Sequence, residues 1–196
     1  MKIERIELHQ VELELVHPFE TSFGRETTRP CILVAVSAGG VTGWGECVAG
    51  DGPWYAYETM GTAWHVLRDF LIPMLLGQDV ASPAGVEVTF RPVRGHPMAR
   101  AGLEIAVWDL LAQADGVSLA TALGGQRERV PVGVSLGIER SVERLLEEVE
   151  RRVDEGYGRV KLKIKPGWDV DVVRAVRERW PDLPPVSYTH LRAHET

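Results

Sequence analysis

From residue 130 onward the sequence alternates strand-like and helix-like segments, and this alternation constrains the fold more than any other feature. Residues 130–136 read as a strand. Ser141 then caps a helix whose apolar stripe is Leu145, Val149 and Val153, whose wet face runs through Glu143, Arg144 and Glu147 to Arg151, and which Gly156 ends. Residues 160–164 are a second strand. Asp169 caps a second helix with Val173, Val176 and Trp180 turned inward, and residues 183–186 open a third strand. Parallel neighbours need a crossover segment, usually a helix, so this spacing predicts a parallel sheet built from βαβ units.

The first part of the chain follows a different pattern. Ile3, Ile6, Leu8, Val11, Leu13 and Leu15 alternate with polar residues after a slip near Glu4. Residues 31–36 form an apolar run, and Gly39-Gly40 reads as a two-residue hairpin loop into residues 41–46. These features predict an antiparallel meander, with residues 19–24 as the loop between its first two strands. Trp54, Tyr57, Met60, Trp64, Leu67 and Leu71 recur at helical spacing up to Pro73. A loop rich in Pro, Gly and Ser leads to a second helix over 98–114, with Leu103, Val107, Leu110 and Ala114 inward and Gly116 as its stop. A short helix over 119–123 closes at Gly124-Gly125, where the domain boundary is expected.

Composition narrows the function. With 196 residues and 44% apolar content the chain has enough apolar material for a folded core, and a net charge of -6 argues against nonspecific nucleic-acid binding. No apolar run approaches the roughly 20 residues needed to span a bilayer. Two cysteines, Cys31 and Cys47, cannot make a disulfide framework, and a cytoplasmic location is expected.

The candidate chemistry lies in Val160-Lys161-Leu162-Lys163-Ile164. With a side-chain period of two, Val160, Leu162 and Ile164 face one way and Lys161 and Lys163 the other. Solvated lysines on a half-exposed strand are the ordinary reading. A parallel strand flanked by helices is buried on both faces, however, and aliphatic residues suit the helix side. Both ammonium groups then point inward. In the preceding strand Pro131, Gly133 and Ser135 share one parity, which leaves space beside the lysines. A buried lysine next to another cation has a lowered pKa and can act as a base. Ser135 is either a small residue chosen for packing or a donor to a substrate oxygen.

Four motifs, taken together, resemble the enolase superfamily in its muconate-lactonising-enzyme subgroup: Gly43-Trp44-Gly45-Glu46-Cys47; Trp108-Asp109-Leu110-Leu111-Ala112 running on to Gly116, Leu119 and Leu123-Gly124-Gly125; Val130-Pro131-Val132 to Ser135-Leu136-Gly137; and Lys161-Leu162-Lys163. The narrower likeness is to the o-succinylbenzoate synthase and N-acylamino acid racemase branch, through residues 19–24 and 50–55. The resemblance implies an α+β capping domain over residues 1–125, followed over 126–186 by the first strands and helices of a truncated (β/α) barrel. It implies abstraction of a proton alpha to a carboxylate, with Lys163 as the acid/base, Lys161 positioning it and lowering its pKa, and Ser135, Phe19, Phe23 and Tyr55 lining the substrate site. It also implies a magnesium ion in the complete enzyme, held by carboxylates on later strands beyond these residues. A second catalytic lysine is expected further along.

The implied partner is a small-molecule carboxylate, with no nucleic acid and no membrane, and a homo-oligomer is expected when the protein is complete. The implied reaction is dehydration of 2-succinyl-6-hydroxy-2,4-cyclohexadiene-1-carboxylate to o-succinylbenzoate, a step of menaquinone synthesis, with N-acylamino acid racemisation as the alternative. The sequence departs from the family after Val186. Residues 187–196 carry no Asp, break the strand pattern and read as a non-native tail. His190 and His194 in that tail are read as a fortuitous pair and not as metal ligands. A chain ending there is expected to be catalytically inactive, a capping domain with an incomplete barrel.

Overall fold

The computed structural model describes residues 1–21 and 24–183, and the backbone of 185–187. Strands β1 (Arg5–Glu20), β2 (Arg25–Ala38) and β3 (Val41–Cys47) form one sheet in that order. Gly39 and Gly40 both take positive φ, 57° and 79°, which is what a tight hairpin between β2 and β3 requires. Phe19 and Glu20, expected in a loop, are the last residues of β1.

Four helices and a π turn follow in this unit before a short closing helix. Helix α1 (Met60–Val66) starts at Thr59, whose side chain accepts from the Thr62 N–H while the Thr62 hydroxyl accepts from the Thr59 N–H. The expected start further upstream is corrected here, because Trp54 and Tyr57 are exposed and lie outside any helix. Pro73 does not end the helical run either. A π turn over Leu67–Leu71 leads directly into α2 (Ile72–Leu75), with Pro73 in its first turn, so the helical backbone continues past the proline. Helix α3 (Pro83–Phe90) forms in the stretch expected to be a loop, with Pro83 in its first turn. Helix α4 (Pro97–Ala114) and the short α5 (Leu119–Ala122) complete the unit. Ala114 is exposed and not inward, whereas Leu103, Ala106, Val107 and Leu110 are buried.

Ile32, Val34 and Val36 are buried in a core shared with α4. Across the ladder they oppose Cys47, Gly45 and Gly43. Those two glycines allow α4 to lie directly on β3. A Cβ on Gly45 would overlap the Gly102 carbonyl oxygen, and one on Gly43 would overlap the Ala106 oxygen and the Leu110 nitrogen. Polar contacts fix the same pair of elements. The Trp44 N–H and the Gln113 amide both donate to Asp109 Oδ2 at 2.8 Å, and the Gln113 amide also donates to the Thr42 carbonyl at 3.0 Å. Asp109 therefore acts within this unit.

Glu58 is only 2% exposed. Its carboxylate accepts from the Met98 N–H at 2.7 Å and the Ala99 N–H at 3.0 Å, so it supplies partners to the otherwise orphaned donors at the start of α4. Replacing Glu58 by alanine leaves both donors unpaired in the interior. We expect a loss of about 2–3 kcal/mol, read as a lowered urea midpoint at unchanged slope.

The remaining strands, β4 (Val134–Leu136), β5 (Val160–Leu162) and β6 (Pro185–Ser187), form a parallel sheet in that order, with α6 (Val142–Asp154) and α7 (Val170–Arg179) as crossovers. Ser141 caps α6 by accepting from the Arg144 N–H at 3.3 Å. In α7 Val172 and Val176 are buried and Trp180 packs partly buried against the same cluster; Val173 is only half-buried, which corrects its expected place on the inward face. β4 is shorter than expected, with Val130 and Val132 exposed, because Pro131 has no N–H to give to a ladder.

The chain divides into two units: Met1–Glu14 with Thr28–Gln126, and Leu15–Thr27 with the chain from Arg127 onward. The tip of the β1–β2 hairpin thus groups with the parallel sheet. Among the described residues no helix is long and apolar enough to cross a membrane.

Candidate functional site

The two-residue period of β5 sorts its side chains between two environments. Val134 pairs with Val160, Ser135 with Lys161 and Leu136 with Leu162. The ladder continues past the strand end, where the Lys163 N–H donates to the Leu136 carbonyl at 3.1 Å. Leu136, Val160 and Leu162 are buried in a cluster with Leu145 and Val149 of α6 and Val172 and Val176 of α7. Ser135 and Lys161 take the opposite face, with Ser135 exposed and Lys161 half-buried. Lys163 continues the Lys161 parity.

Phe19 reaches this face from the hairpin tip. Its ring centroid lies 5.5 Å from Lys163 Nζ, within cation–π range of the ammonium. Burial pushes the Lys163 pKa below the ordinary lysine value, and the charge of Lys161 pushes it further the same way. An ammonium beside a second ammonium, partly withdrawn from water, gives up its proton more readily than a surface lysine does.

Of the residues expected at the site, the second unit brings together Ser135, Lys161, Lys163 and Phe19. Tyr55 belongs to the first unit, where it is 83% exposed in the loop before α1. Phe23, His190 and His194 lie outside the described residues. Two further residues were not singled out by sequence reasoning. Lys165 Nζ pairs with Glu20 Oε1 at 3.3 Å, and the Glu20 carbonyl accepts from the Ile138 N–H at 3.1 Å. The lysine spacing 161, 163, 165 was a visible signal for one partner; nothing local marked Glu20.

No three His, Cys, Asp or Glu side chains converge among the described residues. The donor set for the divalent ion that the resemblance implies is therefore not found in them.

Residues 5–124 match the N-terminal domain of the mandelate racemase / muconate lactonizing enzyme family. The chain belongs to that family. It is 49% identical over 185 residues to an o-succinylbenzoate synthase of Geobacillus kaustophilus, a match covering 94% of this chain and 49% of the relative. It is 48% identical over 182 residues to an N-succinylamino acid racemase of Thermus thermophilus, covering 93% of this chain and 49% of that one. A crystal structure of an enolase-superfamily member from Listeria innocua superposes with a TM-score of 0.89 at 36% identity, over 95% of this chain and 51% of the other. The chain spans about half the length of the relatives it matches. Within the enolase superfamily, its three-stranded sheet and helices are the capping domain, and its parallel strands and crossover helices are the beginning of the (β/α) barrel.

Proposed function

We propose that this protein, at the length of its relatives, is an o-succinylbenzoate synthase in which Lys163 is the acid/base. The observation that carries the reading is the setting of Lys163, beside a second cation and under an aromatic ring, on the open face of a barrel strand. Neutral Lys163 removes the proton alpha to the substrate carboxylate. The carbon–hydrogen electron pair moves toward the carboxylate, and the nitrogen becomes an ammonium. The same ammonium then returns its proton to the leaving hydroxyl on the same face. The carbon–oxygen bond breaks and its electron pair leaves with the protonated oxygen as water, while the pair held toward the carboxylate returns to form the new double bond of the ring. Lys161 holds the substrate by its charge and keeps the neutral form of Lys163 accessible. Ser135, opposite Lys161 in register, donates a hydrogen bond to a substrate oxygen.

The test is turnover of 2-succinyl-6-hydroxy-2,4-cyclohexadiene-1-carboxylate by the protein extended to its relatives' length. Formation of o-succinylbenzoate supports the reading, and its absence in a folded, magnesium-supplied preparation overturns it. The high identity to a named N-succinylamino acid racemase favours a second reading. There the proton taken by Lys163 is replaced from the opposite face by a further group. Exchange of the alpha proton of an N-succinylamino acid in D2O, with loss of optical rotation, reads that activity directly.

The electrostatic role of Lys161 has its own signature. Replacing Lys161 by methionine removes the neighbouring cation, so the Lys163 pKa rises. A base must be neutral to act, and the acid limb of kcat/KM therefore moves to higher pH. A pH profile whose acid limb stays in place in the Lys161→Met variant would show that the two ammonium groups are not coupled.

A further inference from the structure

Glu20 and Lys165 are 145 residues apart in sequence, yet they form an ion pair at 3.3 Å. Neither lies in the chemistry proposed above. Both flank residues that do: Glu20 follows Phe19, and Lys165 is one strand period beyond Lys163. The pairing is reinforced from a third segment. The Ile138 N–H donates to the Glu20 carbonyl at 3.1 Å. Gly137 lies so close that a Cβ on it would stand 3.3 Å from the Glu20 nitrogen, 3.4 Å from its oxygen and 3.8 Å from Phe19 Cδ2. The hairpin tip is thus held between the end of β4 and the end of β5, by one side-chain bond and one backbone bond.

We infer that the Glu20–Lys165 pair is a latch that positions the Phe19 ring on Lys163, and that both are positioning residues for this site. The inference rests on the proposed role of Lys163 for its functional meaning, but the latch itself stands on geometry. The pair is partly exposed, with side-chain accessibilities of 42% for Lys165 and 36% for Glu20. Its contribution is that of a surface ion pair, enough to bias a hairpin tip and too little to decide whether the unit folds. Breaking it should release the tip while the sheet stays intact. A released Phe19 no longer walls one side of Lys163, so a substrate seated there loses an apolar contact.

The experiment uses the full chain and two kinds of readout. Lys165→Met should speed amide exchange of Ile138 about two- to fivefold, the range a pair of this kind supports. The Lys163 amide, bonded to Leu136 within the ladder, should keep its rate and serves as the internal control. The ε-methylene resonances of Lys163 should lose the ring-current displacement that Phe19 imposes. Glu20→Ala should do the same from the other side. The exchanged pair, Glu20→Lys with Lys165→Glu, should restore both the Ile138 rate and the ring-current shift. An unchanged Lys163 side-chain resonance in both single variants would overturn the latch. So would equal acceleration of the Ile138 and Lys163 amides, which would mean general loosening, or a failure of the exchanged pair to restore either signal. Turnover in a Lys163→Ala variant tests the proposed base separately, while the exchange and ring-current readouts are taken on chains that keep Lys163.

Discussion

In the protein extended to its relatives' length, Lys163→Ala lowers kcat by at least about a hundredfold while the fold remains intact. Removing the proposed base eliminates its whole contribution to the transition state for proton transfer. The fold survives because Lys163 lies on the face opposite the aliphatic cluster of Leu136, Val160 and Leu162, so its loss opens no cavity in that core. Lys163→Arg should fail as well, since a guanidinium stays protonated at any working pH and cannot accept the proton. Single-turnover rates with circular dichroism as a fold control decide the matter. Near-normal turnover in either variant would place the base elsewhere.

The second large effect is structural. Gly45→Ala should destabilise the first unit by more than about 4 kcal/mol, because the new methyl group would overlap the Gly102 carbonyl oxygen and stand 2.8 Å from the Ala106 nitrogen. Both obstacles are backbone atoms of α4, and backbone inside a helix cannot move aside as a side-chain tip can. The whole helix would have to lift off β3 and surrender the burial of Leu103, Ala106, Val107 and Leu110. Gly61→Ala is the control. It lies in α1 with Thr59 Oγ1 3.9 Å from a Cβ there, so it should be neutral or slightly stabilising. Urea denaturation followed by near-ultraviolet dichroism compares the two. A Gly45→Ala protein with a native midpoint would show that α4 does not lie against β3 as described.

Much of this architecture was legible in the amino-acid sequence. The Gly39-Gly40 turn, the Ser141 cap of α6 and the lysine parity of β5 all follow from rules that act over a few residues. A φ above zero favours glycine, an orphaned N–H favours a serine oxygen, and a pleated strand sends alternate side chains to opposite faces. The partition of Lys161 and Lys163 from Val160 and Leu162 needed only that last rule. The boundaries were less legible where two local signals competed. The helical spacing of Trp54 and Tyr57 continued a pattern that the Thr59 cap interrupts, and Pro73 looked like a stop because nothing local announced the π turn before it.

What only the tertiary structure decided involves residues far apart in sequence. Phe19 over Lys163, Glu20 paired with Lys165, and Glu58 at the head of α4 join segments separated by roughly 40 to 145 residues. The same holds for Gly43 and Gly45, whose place in a strand motif did not reveal that α4 lies directly on them. Periodicity reports which face a side chain takes and says nothing about what arrives on that face. The sequence therefore determined that two lysines share one side of a parallel strand, through the pleat alone. That a phenylalanine from the hairpin tip covers one of them was decided by packing, because the free energy of that contact exists only once both segments have been brought together.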